Sequence, residues 1–248
     1  MNMRAKGLRV PDLHGETAYV GVRDHDAGKL ASDLGTASSP HGRNAALRPQ
    51  LAVKRGLDIA VSLTSLVTLL PLMLMVALLI RLDSPGPALV TQVRWGKDRR
   101  RIGVYEFRST RTGLADATGV AKTVGGDPHV SRIGSIIRKT NINELPQLLN
   151  VLKGEMSLVG PGCHAIAMLA AGIPYEELVS DYHRRHLVKP GMTGLAQMRG
   201  LRGPADSPGK ARARIVCDLH YIDNFSLLLD LRIIFGTILA EIRGGKTC

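Results

Sequence analysis

IAVSLTSLVTLLPLMLMVALLI, residues 59–80, runs for 22 residues without a charge and is rich in Leu, Val, Ile and Met. As one α-helix it is long enough to cross the hydrocarbon core of a bilayer, so its reading decides between a soluble globule and a membrane protein. It reads as a membrane segment. Pro71, near its middle, removes a backbone N–H and crowds the preceding turn, which predicts a kink. Both flanks are basic, with Lys54 and Arg55 before the run and Arg81 after it. That symmetry does not orient a span, but it suits a helix that enters, bends at Pro71 and leaves on the same face. A re-entrant helix hairpin with Pro71 as the membrane break is the expected form. A kinked span and a buried core helix are the alternatives.

Upstream, residues 1–50 mix Gly, Ser, Ala, Asp and Arg with no sustained period of 2 or 3.6. Such a stretch buries too little apolar surface to offset ordering entropy and is expected to be a mostly disordered arm. It has no apolar core of the length a secretory signal needs. Downstream of the Asp83–Pro87 turn, ALVTQVR, a Gly96–Arg100 turn and RIGVYEFR read as a short β-hairpin. Seven cations crowd it, Arg94, Lys97, Arg99, Arg100, Arg101, Arg108 and Arg111. Next to a membrane segment, they are a solvated face or a surface for anionic headgroups or a phosphate substrate.

The whole chain repeats that bias. Its 248 residues carry 33 Lys and Arg against 21 Asp and Glu, a net charge of +12, which predicts an anionic partner. Aromatic residues make up only 4%, too few for the stacking platforms of single-stranded nucleic acid, so no nucleic-acid partner is expected. Cys163, Cys217 and Cys248 are odd in number and widely spaced, which argues against a disulfide framework or a structural zinc site.

Leu145, Leu148, Leu149 and Leu152 follow i, i+3, i+4, i+7. NELPQLLNVLKG is therefore expected to be an amphipathic helix with Asn143 as N-cap, Glu144 in the first turn and Gly154 just past its end. A helix N-terminus there suits a phosphate, although an N-cap and a first-turn acid are as easily structural. MSLVGPG ends in a turn at Gly162. A further helix is expected from Pro174 to about Lys189, another from Ser207 through Ile222, and a last one, Leu227 to Arg243, in the core or a membrane interface. His183 and His186 sit among arginines without metal-ligand partners.

The charge-free run, QVRWGKDRRRIGVYEFRS, IRKTNINELPQLLNVLKGEMSLVGP, KPGMTGLAQ and DLHYIDNFSLLLDLRII, in that order, resemble the bacterial sugar transferase family. These are the monotopic phosphoglycosyl transferases that start exopolysaccharide and glycan assembly on a polyprenyl carrier. The resemblance runs from about Lys54 to Arg243. It implies an α+β, mostly helical, membrane-associated fold with a re-entrant helix hairpin, a short β-hairpin and amphipathic interfacial helices. The expected division is a disordered arm (1–50), a membrane re-entrant helix (51–86) and a cytoplasmic catalytic-type domain (87–248).

The resemblance further implies transfer of a hexose 1-phosphate from a nucleotide sugar, with UDP-hexose the expected donor, to polyprenyl phosphate. The reaction would run at the cytoplasmic face of a bacterial inner membrane, with Mg²⁺ and through a covalent phosphosugar intermediate. By the same resemblance Asn143 stands at the nucleophile position and Glu144 assists with metal and proton. Arg108, Glu106, Gln147, Pro161, Gly162 and Lys189 make up the substrate-binding set. Three of these positions depart from the family pattern: Asn143 replaces an aspartate, Gly162 an arginine and Glu106 a lysine; Arg100 and Thr110 also replace a glycine and a methionine. The alternative reading is therefore a catalytically impaired relative acting as a membrane-bound binding or regulatory partner in polysaccharide synthesis. An anionic membrane, a second copy of the chain and other polysaccharide-synthesis proteins are further candidate partners.

Overall fold

The computed structural model describes residues 9–11, 17–19, 44–110, 130–203 and 207–242. Most of the expected arm, Arg111 and Cys248 lie outside them. Within the arm, β1 (Arg9–Pro11) pairs antiparallel with β2 (Thr17–Tyr19).

The apolar run lies in one 40-residue helix, α1 (Asn44–Asp83). It begins ahead of the boundary at residue 50, in an Asn-Ala-Ala-Leu stretch of good helix formers, and ends at the DSPGP turn. The assignment is continuous through Pro71, so the segment is a single element rather than two helices joined by a loop. One stripe of α1, Asp58, Ser62, Val76 and Ile80, is buried, while Val67, Leu74 and Leu78 are 68, 63 and 58% exposed. A soluble core helix would hide those side chains. Thr64 Oγ1 donates to the Ala60 carbonyl at 2.9 Å, satisfying its hydroxyl within the helix.

Both ends of α1 are fastened to the domain that follows. Near the start, Lys54 Nζ lies 2.7 Å from Asp230 and 2.9 Å from the Val159 carbonyl. Arg55 donates to the carbonyls of Val151 and Leu152, and Asp58 accepts from Ser157 Oγ and the Leu158 N–H. Near the end, Val76 and Ile80 pack with Ala88, Phe107 and Ile137. The flanking cations read as topology signals are thus partly structural.

The expected hairpin forms from β3 (Leu89–Trp95) and β4 (Arg101–Phe107), in register from Leu89 opposite Phe107 to Trp95 opposite Arg101. After it come α2 (Arg132–Lys139), capped by Ser131, and the NELPQ segment, which corrects the expectation. Ile142–Glu144 is a 3₁₀ turn, and α3 spans only Gln147–Lys153. Asn143 is therefore not an N-cap. Pro146 has no N–H to return to the Ile142 carbonyl, so the chain uses tighter bonds from Glu144 to Asn141 and from Leu145 to Ile142. Gly154 ends α3 in the left-handed region at φ +82°, as expected.

The leucine stripe is corrected too. The buried residues of α3 are Gln147, Leu148, Asn150 and Val151, whereas Leu149 is 37% exposed. Asn150 is fully buried and ties α3 to β4 through the Tyr105 N–H and the Gly103 carbonyl. Leu149→Asp, which the stripe marks as disruptive, should therefore cost at most about 1 kcal/mol. Val151→Asp should cost several, because the carboxylate has neither water nor partner. Thermal melts in detergent check both, and equal melting temperatures would place α3 wrongly.

β5 (Ser157–Val159) follows, then the small hairpin of β6 (Leu169–Ala170) and β7 (Ile173–Pro174). The helix expected from Pro174 to Lys189 is two turns, α4 (Tyr175–Leu178) and a 3₁₀ segment Tyr182–Leu187, separated by extended Val179. Tyr175, Leu178 and Tyr182 still point inward, packing with Ala211 and Ile215. β8 (Gly191–Thr193) runs parallel to β5. A Cβ at Gly191 would lie 2.1 Å from the Gly160 nitrogen, so only glycine admits this approach of the VGP and KPGMTG backbones.

α5 (Leu195–Met198), α6 (Pro208–Asp223), capped by Ser207 with Pro208 at its start, and α7 (Leu227–Ile242) complete the described chain. α7 packs one side into the core and leaves the other apolar and exposed. Ile233 is fully buried, while Leu228, Leu231, Phe235, Ile238 and Leu239 form a face 45–68% exposed. The fold is mixed α and β, with one long apolar helix and a short antiparallel hairpin.

Candidate active site

The 3₁₀ turn carrying Asn143 and Glu144 rests against β4. Exposed Glu144 lies near enough to Arg94, Cys163 and Arg202 for its charge to act on all three. Arg94, on β3, organises this corner: its guanidinium reaches Glu106 at 3.0 Å, Gln92 Oε1 at 2.5 Å and the Cys163 carbonyl at 2.8 Å. Glu106, opposite Val90 on the hairpin, meets Arg94 diagonally in an ion pair whose side chains are 12 and 16% exposed. Burial acts against the Arg94 charge, but Glu106, Cys163 and Glu144 outweigh it and hold its pKa above the usual arginine value. Burial instead lowers the Arg202 pKa, and Glu144 acts against that change.

The Cys163 carbonyl links this corner to a second group built on Gly162. The Gly162 N–H donates to Asp218 Oδ1 at 3.2 Å, and its carbonyl accepts from Arg185 Nη2 at 2.5 Å. Arg185 and Asp218 form an ion pair at 2.5 Å whose side chains are 1 and 2% exposed. A Cβ at position 162 would meet Gln197, His164 and Arg185 at 3.5–3.9 Å, ordinary van der Waals contact. The main chain therefore admits a side chain there. Burial pushes the Cys163 thiol up to about 11, which keeps it protonated and a poor nucleophile at neutral pH.

The remaining residues of the expected set lie apart. Arg108 is 3% exposed and donates to the carbonyls of Pro85 and Ser84 at 2.5 and 2.7 Å, finishing the C-terminal end of α1. That gives it a structural task. Gln147 is buried at the first residue of α3. Pro161 is buried, and its carbonyl accepts from the Gly191 N–H at 2.9 Å. Lys189 sits beside Arg55 over Gly154, at the opposite end of α3 from Glu144. Pro71 lies far along α1. Sequence reasoning missed Arg94 as the partner of Glu106, as well as Arg202 and the Arg185–Asp218 pair. Asp218 lies in the quoted DLHYIDN stretch, but nothing in its spacing announces a buried guanidinium.

Among the described residues no group of three or more His, Cys, Asp or Glu side chains could hold a metal ion. Glu144 alone fits a looser mode, in which Mg²⁺ arrives on substrate phosphates and takes one carboxylate from the protein.

Tyr182, His164, His183, His186, Tyr175 and Trp95 pack as a cluster of rings behind Gly162. Burial, then the Arg185 charge, pushes the His186 imidazole down to about 4. The unfolded chain, titrating near 6.5, takes up this proton before the folded one does, so stability falls as pH drops from 6.5 to 4 and the loss ends below 4. Melting temperature should follow that course, and His186→Gln should flatten it. An unchanged slope in the variant would show that the imidazole titrates alike in the folded and unfolded chain.

The family model described as bacterial sugar transferase matches residues 49–244. An exopolysaccharide production protein, PSS, from Rhizobium leguminosarum bv. phaseoli is 62% identical over 196 residues, which are 79% of this chain and 98% of the relative. An undecaprenyl-phosphate glucose phosphotransferase from Komagataeibacter xylinus is 47% identical over 76% of this chain, and a UDP-glucose:undecaprenyl-phosphate glucose-1-phosphate transferase from Escherichia coli is 40% identical over 75%. The matched region covers only 36 and 39% of the length of those last two proteins.

Proposed function

Because the chain belongs to the bacterial sugar transferase family, we propose that it moves a hexose 1-phosphate from UDP-hexose to polyprenyl phosphate, an opening step of exopolysaccharide assembly. The observation that carries this reading is that Glu144 lies close enough to Arg94 and Arg202 for its charge to act on both. A carboxylate near two guanidiniums can take a share of a diphosphate-bound Mg²⁺ while the cations draw the phosphate oxygens. When bound, the metal would neutralise charge on the leaving nucleotide. Arg94 would be the weaker anchor, since Glu106 already balances it.

The attachment of both ends of α1 to one domain supports a re-entrant course, with the bend that it requires falling inside the continuous helix at Pro71. Both ends then lie on the side of the bilayer that holds the domain, the cytoplasmic side in this reading. The exposed face of α7 would lie along the same interface. A second reading, a binding or regulatory relative with little turnover, is favoured by Asn143, whose amide cannot form an acyl phosphate.

Calorimetry with UDP-glucose tests the donor site under either reading. Binding should need Mg²⁺, and Glu144→Gln should weaken it about tenfold or more, the usual effect of losing one charge-assisted contact. Equal affinity with and without EDTA would remove the metal from the account.

A further inference from the structure

The tip of the β3–β4 hairpin is a cationic surface that the proposed site leaves unused. Lys97, Arg99, Arg100 and Arg101 are all exposed, and none is in an ion pair among the described residues. Asp98 is the one acid in that run. Asp98 and Arg99 hold φ of +54° and +57°, a left-handed conformation that side chains adopt at a cost. The tip does not project freely into solvent, because it packs against the Tyr182–Leu187 segment. The Arg99 charge acts on His186, and the Lys97 charge on Lys189.

Lys189 fixes the level of this patch relative to α1. Its ammonium and the Arg55 guanidinium come within 3.5 and 3.4 Å of the same point above Gly154. Arg55 precedes the charge-free run, which starts at Ile59, by one helical turn. Lys189 thus stands where α1 leaves its polar surroundings, with Lys97 near enough for its charge to act on it, and Leu187, two residues before Lys189, is an apolar side chain 58% exposed. Unpaired cations next to the start of a membrane segment meet phosphate groups held at a surface, and each is worth about fivefold in affinity for an anionic leaflet.

The geometry points to a second membrane contact: Lys97, Arg99, Arg100 and Arg101, with Lys189 and Leu187, form a docking surface for anionic phospholipid headgroups. It holds the hairpin against the leaflet that α1 enters. This rests on the membrane reading of α1 and adds a lipid preference which that reading does not require. Charge complementarity and the place of Lys189 beside Arg55, one turn before the apolar run of α1, select lipid over nucleic acid.

Trp95, the single tryptophan of the chain, ends β3 beside the tip and stacks edge-on against His186. The full chain is placed in nanodiscs of phosphatidylcholine containing brominated phosphatidylglycerol or brominated phosphatidylcholine, whose bromines quench nearby indoles. Trp95 should be quenched more by the anionic lipid. The combined variant Lys97→Gln, Arg99→Gln, Arg100→Gln, Arg101→Gln should need at least about tenfold more anionic lipid for the same quenching. Equal quenching by both lipids, no quenching by either, or loss of the difference on adding UDP would overturn the proposal. The last outcome would assign the patch to the nucleotide. Val67→Trp in a Trp95→Phe background reports on α1 separately. Quenching there by both lipids upholds the membrane reading whatever Trp95 does, and its absence would fail that reading instead.

Discussion

Asn143→Asp is expected to raise sugar phosphate transfer by at least about 100-fold, since the parent lacks the carboxylate that would form the covalent intermediate. The substitution changes one atom type on a half-exposed side chain in a 3₁₀ turn, so it adds no buried charge and should leave stability within about 0.5 kcal/mol. The new carboxylate would meet like-charge repulsion from the neighbouring Glu144, whose own charge acts on Arg94 and Arg202. Adding Gly162→Arg should help further, because the backbone there admits a Cβ without a clash. Adding Glu106→Lys should not. It would set a lysine against Arg94 and break the pair that holds the corner together. Release of UMP from UDP-glucose by purified variants measures the order, and a parent as fast as Asn143→Asp would remove position 143 from the chemistry.

Asp218→Ala is the second large effect, this time on stability. Asp218 neutralises Arg185 where both are nearly sealed from water, and it takes the Gly162 N–H. Deleting it leaves a buried guanidinium and an unsatisfied N–H, a loss of about 3–5 kcal/mol from a total of about 5–15. In a chain of this size the melting temperature should fall by about 6–20 °C. A shift under about 2 °C would mean that water reaches Arg185.

Local rules made much of the architecture legible. The charge-free run, the hairpin with its Gly96 turn, Gly154 after α3 and the Ser207–Pro208 helix start each depend on a short stretch of chain. The start of α3 escaped because Asn143 satisfies the N-cap rule while Pro146, three residues later, breaks the ladder behind it. Leucine spacing identified α3, but its inward face was set by Asn150 reaching β4 and by the packing of α1, neither of which periodicity sees. The helix expected up to Lys189 has the right inward residues, yet Val179 is extended because tertiary packing overrode a weak propensity. At the site, Glu106 reads in sequence as a misplaced charge. Arg94 stands opposite Ile102, four positions along β4 from Glu106, and only the folded hairpin brings the two side chains to 3.0 Å. The Arg185–Asp218 pair spans 33 residues and left no local signal.

Handling of a sugar nucleotide at Glu144 and passage of its sugar phosphate to a polyprenyl carrier can be followed in one transfer assay. Membranes bearing the parent chain, Asn143→Asp, or Asn143→Asp with Glu144→Gln are incubated with UDP-glucose radiolabelled in the sugar, and label is counted in the organic extract. Labelling should be slow with the parent, rapid and Mg²⁺-dependent with Asn143→Asp, and back at the parent level or below when Glu144 is also replaced. Labelling that is absent from all three chains, or equal in all three, would contradict this expectation.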